Sequence, residues 1–333
     1  MSDTQRYARQ LLVDKLGSSS QQSLSAAHVL IVGAGGLGSP VSLFLAGAGV
    51  GEITLVDDDV VSLSNLHRQV LFQESDIGQL KVDAAKQHLL SLNSEITINA
   101  FAQRLSIDNA QDLVDQATIV IDAADNFLVS YLLSDICFDL RIPLVSASVL
   151  TTHGYLGIFC GTVDKPAPSL RAIFPTPSTE ANNCNTVGVT GPSVGIIGSY
   201  QAQEALKVII NSDAQLLGKL MTLDLWNYRQ QIIDFHHSKE PVKIAKFVSL
   251  NELKENEVLL DVRTREEYLN DPPPVLAEIN SATNIPLNEL EKRFSELDKA
   301  QEITCICKSG QRALNAANQL LENGFQNVSV TSR

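Results

Sequence analysis

The feature that most limits what this chain can fold into is Gly33-x-Gly35-x-x-Gly38. It lies between the apolar run His28–Val32 and a stretch of small apolar residues at 41–48. Glycines at this spacing permit a tight strand-to-helix turn, and the helix N-terminus behind it faces an anion, so Gly33, Gly35, Gly36 and Gly38 predict a phosphate cradle. A second apolar run, 53–56, closes at Asp57-Asp58-Asp59, and a third, 119–121, closes at Asp122 with Asp125 and Asn126 just beyond. Strands that end in acids and alternate with helical stretches predict a Rossmann-like, doubly wound α/β fold with a mostly parallel sheet. Further strands are expected at 143–148 and 156–161. An aperiodic stretch follows at 163–185, then a glycine-rich one at 187–200 that runs into a helix at 201–207. The pattern breaks at 236–241, and a second, smaller α/β unit begins. Its strands are expected at 258–260, 303–306 and 327–330, with a helix at 313–323.

Composition narrows the function. With 333 residues, 44% of them hydrophobic and 19% charged, the chain can bury the cores of two domains, which excludes disordered and fibrous classes. Lys+Arg 25 against Asp+Glu 38 gives −13, the wrong sign for neutralising phosphate backbones, so nucleic acid is not an expected partner. The first residues are polar and no run of about 18 apolar residues follows, so neither a signal peptide nor a membrane span is expected. Cys137, Cys160, Cys184, Cys305 and Cys307 are odd in number and form no Cys-x-x-Cys pair. A disulfide framework and a zinc site are therefore not expected, and a cytoplasmic setting is.

Asp57 stands 24 residues past Gly33 at the end of the second strand, placed to accept hydrogen bonds from a ribose. Loop and acid together imply a nucleotide and leave NAD and ATP both open. Ser64-Asn65-Leu66-His67-Arg68-Gln69, with Gly78 and Lys81, then crowds two cations and two amides just past that strand. Stabilising a triphosphate and its departing pyrophosphate calls for such cations. Asp125 is a candidate to hold Mg²⁺ through one carboxylate with waters completing the shell. Asn65 and Gln69 are candidates to orient the phosphates, and Asn126 to position the metal side or the nucleotide.

Taken in order, Arg6-Tyr7-x-Arg9-Gln10, the loop 33–39, Leu55-Val56-Asp57-x-Asp59, Asn65-Leu66-x-Arg68-Gln69, Gly78-x-x-Lys81, Asp122-x-x-Asp125-Asn126 and the segment 188–207 form a recognisable set. Residues 1–237 closely resemble the MoeB/ThiF family of ubiquitin-activating-like adenylyltransferases. The resemblance implies adenylation, with ATP and Mg²⁺, of the C-terminal glycine of a small ubiquitin-like sulfur-carrier protein ending in Gly-Gly. It also implies a homodimer, with Arg9 reaching across it to the phosphates, and a thioester or acyl-disulfide at Cys184. The pathways that use such chemistry include molybdopterin, thiamin and tRNA thiolation.

Cys307-Lys308-Ser309-Gly310-Gln311-Arg312 places a cysteine at a strand end before a helix, where backbone N–H groups and an arginine favour a thiolate. With Asp261-Val262-Arg263 and Asn284-Ile285-Pro286 upstream, residues 244–333 resemble a rhodanese domain. That resemblance implies sulfur carried as a Cys307 persulfide taken from a persulfide donor. Two departures qualify these resemblances. Where many MoeB/ThiF members hold zinc with two Cys-x-x-Cys pairs, this chain has Ser169-Leu170-Arg171-Ala172 and Asp234-Phe235-His236-His237. In the rhodanese-like part Glu278-Ile279-Asn280-Ser281-Ala282 replaces the usual His-Ile-x-Gly-Ala, and the Gly-Gly-x-x-x-Trp ending is missing, so an incomplete domain is expected. Two other functions stay open: an NAD-dependent oxidoreductase, for which no catalytic His or Tyr-x-x-x-Lys constellation is found, and a non-catalytic binder of a ubiquitin-like protein.

Overall fold

The computed structural model describes residues 3–175, 188–254, 257–273 and 282–332. The first unit is built on an eight-stranded sheet: β1 (His28–Val32), β2 (Glu52–Val56), β3 (Thr97–Phe101), β4 (Ile119–Asp122), β5 (Leu144–Leu150), β6 (His153–Phe159), β7 (Lys219–Asp224) and β8 (Arg229–Asp234). Their spatial order is β3-β2-β1-β4-β5-β6-β7-β8. The first five strands are parallel, and β6, β7 and β8 continue as an antiparallel meander. Strand order reverses between β1 and β4, where a doubly wound sheet leaves a crevice at its carboxyl edge.

Alternation along β1 feeds two cores. Val29 and Ile31 join the cluster of α4 (Gly38–Ala48), α5 (Lys81–Leu92) and α8 (Gly191–Ile209) on one face. Leu30 and Val32 join that of α6 (Ile107–Asp115) and α7 (Phe127–Leu140) on the other. Before β1 lie α1 (Asp3–Arg6), α2 (Ala8–Leu11) and α3 (Ser18–Ala26).

Two elements depart from the expectation. The helix expected from 201 begins ten residues earlier, at Gly191. The Thr190 hydroxyl caps it by accepting from the Ser193 N–H, and Pro192 sits in its first turn. Its glycines serve packing: a Cβ on Gly198 would stand 2.5 Å from Pro40 Cγ and 2.8 Å from the Leu37 carbonyl oxygen, so only glycine lets α8 press onto α4. The hairpin β7–β8 had no sequence expectation, because β8 is exposed along its whole length and shows no alternation.

The second unit carries a five-stranded, wholly parallel sheet of β9 (Lys246–Phe247), β10 (Val258–Asp261), β11 (Ala282–Asn284), β12 (Glu302–Cys307) and β13 (Asn327–Ser332), in the order β11-β10-β12-β13-β9. The helices α9 (Arg265–Asn270), α10 (Leu287–Leu290) and α11 (Gln311–Glu322) connect it. Ala313, Leu314, Ala317 and Leu320 of α11 pack with Leu260, Cys305 and Val330, and Leu128 and Tyr131 of α7 belong to the same cluster, so the two units share a core. No helix among the described residues is long and apolar enough to cross a membrane.

Candidate active site

The glycine loop is built by contact rather than by flexibility. Gly33 has φ 98°, and a Cβ there would lie 2.6 Å from the Ala123 carbonyl oxygen. One on Gly38 would lie 1.9 Å from the Gly33 oxygen, and one on Gly36 would lie 2.7 Å from Val194 Cγ1. Gly35 differs, since the nearest atom to its Cβ position is Gln69 Nε2 at 3.7 Å, so the loop leaves open space on that side. Behind it the first N–H groups of α4 face the crevice, as a phosphate site requires.

The candidate residues gather around this opening from three strand ends. Asp57, past β2, accepts from the Ala34 N–H at 2.7 Å and from the Asp59 N–H at 2.9 Å, which fixes the carboxylate against the loop. Burial pushes its pKa up, against the pull of Lys81 and the two N–H groups. Arg68 and Gln69 stand over the loop: Arg68 Cγ is 3.7 Å from the Gly36 Cβ position, and its Nη1 donates to the Ser64 carbonyl at 3.0 Å and lies 2.9 Å from His67 Nε2. Gln69 is buried, and its Oε1 has no partner. A buried amide oxygen left unpaired beside open space is an acceptor awaiting a ligand donor. Asn65 caps its own short turn, accepting from the Ser62 N–H at 3.3 Å, while Leu66 packs on the core below.

Lys81 opens α5 at 4% exposure, and its Nζ donates to Asp59 at 2.7 Å. Its charge is thus already matched inside the chain, where the sequence suggested a cation free for phosphate. Asp125 is exposed in the loop after β4, while Asn126 caps α7 by accepting from the Leu128 N–H at 3.0 Å. The carboxylate oxygens of Asp57, Asp58 and Asp59 also lie within 4.8 Å of one another, but Asp57 and Asp59 are committed as above. Asp125 has no such commitment and suits a cation held by one carboxylate and waters.

Arg9 is not brought to this loop. It is exposed on α2, next to Gln10, whose Nε2 donates to the Ala48 carbonyl at the far end of α4. The 11 residues of α4 put about 16 Å between that end and the cradle. Sequence reasoning missed the wall opposite the loop. A Cβ on Gly191 would lie 2.3 Å from the His67 carbonyl oxygen, and Val194 touches Gly36, so the first turn of α8 closes the site. The signal was Thr190-Gly191-Pro192-Ser193, a helix cap with a proline just inside it.

In the second unit Cys307 ends β12, fully buried, with the Ala313 N–H directed at its sulfur at 3.4 Å. The arginine expected to favour a thiolate is engaged elsewhere. Arg312 forms a two-pronged pair with Glu267 at 2.7 and 2.8 Å, which holds the Glu267 carboxyl down to about 2. Asp261 and Arg263 pair with each other at 2.6 Å, and Asn284 donates to both their carbonyls, so these motifs brace the strand ends. Cys184 and the segment 278–281 lie outside the described residues. At the position of the expected zinc departure, Ser169 donates to Glu240 from its backbone N–H at 2.7 Å and its hydroxyl at 2.6 Å, and Arg171 pairs with Asp135.

The ThiF family model matches residues 7–242, and that of the rhodanese-like domain matches residues 248–332. The adenylyltransferase and sulfurtransferase MOCS3 of Culex quinquefasciatus is 33% identical over 365 residues, covering 95% of this chain and 81% of that protein. The adenylyltransferase and sulfurtransferase UBA4 of Kluyveromyces lactis is 42% identical over 213 residues, covering 63% of this chain and 48% of its own. Among solved structures, E. coli MccB with ATP superposes with a TM-score of 0.62 at 25% identity, covering 72% of this chain and 74% of that one. The chain belongs to the ThiF family and carries a rhodanese-like domain behind its ThiF part.

Proposed function

We propose that this protein adenylates the C-terminal glycine of a ubiquitin-like sulfur-carrier protein ending in Gly-Gly, using ATP and Mg²⁺, and then converts the acyl adenylate to a thiocarboxylate. The observation that carries the first step is the opening at Gly35 with Arg68 and the unpaired Gln69 oxygen above it, at the strand-order reversal of the sheet. The carrier carboxylate attacks the α-phosphorus, the bond to the β-phosphate oxygen breaks, and pyrophosphate leaves. Charge grows on phosphate oxygens, so the α4 N–H groups, Arg68 and Lys81 stabilise the transition state, Lys81 by shifting from Asp59. Mg²⁺ on Asp125 supplies further positive charge to those oxygens. Asp57 orients the ribose. No general base is needed, since the nucleophile is already an anion.

In the second step the terminal sulfur of a Cys307 persulfide, loaded by an external persulfide donor, attacks the acyl carbon and AMP leaves, giving an acyl-disulfide. The Cys184 thiolate then attacks Cys307 Sγ, releasing the thiocarboxylate and leaving a Cys184–Cys307 disulfide, which an external dithiol reduces. Domain boundaries near residues 237 and 244 follow this division of labour.

Pairing of two copies fits the exposed apolar face of α4 and α8, where Phe44, Val70, Ile196 and Tyr200 line two shallow depressions. A second copy seated there would use Arg9, which its own cradle does not. Cys137, Cys160, Cys305 and Cys307 are free thiols, which suits a cytoplasmic setting. No zinc is invoked.

The test is carrier-dependent exchange of labelled pyrophosphate into ATP with a Gly-Gly-terminated ubiquitin-like protein. Exchange should need both carrier and Asp125, and should survive Cys307→Ala, which abolishes only thiocarboxylate formation. Equal loss of both activities in Cys307→Ala would sink the two-step division. No exchange with any carrier would favour a nucleotide-holding binder.

A further inference from the structure

The surface where the two units meet has no part in the steps above, yet it is built with buried charge. Arg171, in the turn Leu170–Ala172, is 2% exposed, and its Nε and Nη2 donate to the two carboxylate oxygens of Asp135 on α7 at 2.6 and 2.8 Å. Its guanidinium lies 4.8 Å from the ring centre of Tyr131, on α7, and 5.4 Å from that of Phe247, on β9 of the second unit. Nη2 also reaches the Ala245 carbonyl at 3.5 Å. With Ser169 donating twice to Glu240, one turn of the first unit fastens α7 to the chain that enters the second.

The other end of the contact falls on the sulfur loop. Gly310, three residues past Cys307, has φ 76°, and a Cβ there would stand 2.3 Å from Leu128 Cδ1 in the first turn of α7. Leu128 is three residues past Asp125. Cys307 itself is 0% exposed, so in this arrangement no donor touches its sulfur.

The joint is releasable in its chemistry. Arg171 Nη1 is buried without a partner, and burial pushes the Asp135 pKa up despite the arginine. A desolvated ion pair with one N–H unsatisfied regains hydration when it separates, which offsets the attraction lost. A wholly apolar contact would gain nothing from opening to water.

We infer that the rhodanese-like unit is docked on α7 in a closed state, in which Leu128 caps the Cys307 loop and the Arg171–Asp135 joint holds the cap on, and that release of this joint exposes Cys307 to its sulfur donor. Leu128 and Arg171 are positioning residues and touch no substrate. The inference rests on the reading of Cys307 as a sulfur carrier, but its test needs neither carrier, ATP nor sulfur, so the two can fail separately.

The test is the alkylation rate of each cysteine in the full chain with iodoacetamide at neutral pH, read by peptide mass spectrometry. Cys305, Cys137 and Cys160 are buried in the two units and report unfolding. Wild-type Cys307 should react as slowly as Cys305. Leu128→Ala, at the cap, and Arg171→Gln, at the joint, should each raise the Cys307 rate about tenfold or more while the other three stay slow, as local opening rather than global unfolding requires. Fast alkylation of wild-type Cys307 would overturn the inference. So would an unchanged Cys307 rate in both variants, which would show that its own loop buries it, or a parallel rise at Cys305.

Discussion

The two reactive centres of this chain are finished to different degrees. Around the glycine loop the protein leaves groups uncommitted: space at Gly35, an unpaired oxygen on Gln69, an exposed carboxylate on Asp125. Around Cys307 the charges are matched within the chain, Arg312 by Glu267 and Arg263 by Asp261, and the sulfur is covered. The first is built to receive a diffusible ligand whose groups complete it. The second needs no ligand to be satisfied, so access to it must come from movement. A pocket can thus hold its incompleteness in place because the backbone beneath is rigid, whereas a covered thiol relies on a contact that can break.

That contrast can be broken, most forcefully at Gly38. Gly38→Ala would drive a Cβ to 1.9 Å from the Gly33 oxygen, backbone against backbone. It should cost more than about 4 kcal/mol and appear as loss of soluble, cooperatively melting protein. Wild-type melting in that variant would show the cradle to be pliable. Next, Arg171→Met leaves Asp135 buried without its cation and should cost about 3–5 kcal/mol in denaturant titration, whereas Arg171→Met with Asp135→Leu should recover most of it. Recovery sharpens the view that the junction holds charge in order to open. Gly35→Ala meets nothing closer than 3.7 Å, so its melting should match wild type while calorimetry finds ATP binding at least about tenfold weaker, near 1.4 kcal/mol. Unchanged affinity there would remove the phosphate from that side of the loop.

The smallest effect is at Glu267, paired with Arg312 at a site where the two side chains are 40% and 35% exposed. Glu267→Gln should lower stability at neutral pH by under about 1 kcal/mol, since solvent screens the pair. Because the folded-state value lies at about 2, below the ordinary 4.5, this stability is present above 4.5 and is lost as pH falls towards 2. Denaturant midpoints of the two proteins should therefore differ at pH 7 and converge in strong acid. A difference that persists there would assign the effect to the helix cap on Thr264 instead.

Legibility followed the physics of each element. His28–Val32 was read correctly because a strand buried on both faces is uniformly apolar and its glycine turn punctuates it. The first half of α8 was hidden because its glycines, chosen for contact with α4, read as a loop. β11 is three residues long and β8 has no buried face, so neither leaves a periodic trace. Among the candidate residues, those whose role is set by a strand end, such as Asp57 and Asp125, fell where expected. The pairings of Lys81 with Asp59 and of Arg312 with Glu267 could not be read, because partners 22 and 45 residues apart meet only through the fold.

Helix α8 has a double duty whose consequence is thermodynamic. Its first turn walls the nucleotide site through Gly191 and Val194, and one turn further on it presents Ile196 and Tyr200 to the apolar face, while Gln201 bolts it to the Asp122 and Val145 carbonyls. A rod fixed at its middle transmits displacement from either end. If ATP strengthens the pairing of two copies through that rod, pairing must strengthen ATP binding by the same factor, because the two equilibria share one cycle. The dimer dissociation constant measured with and without ATP gives that factor, and a value of one would make α8 a wall and nothing more.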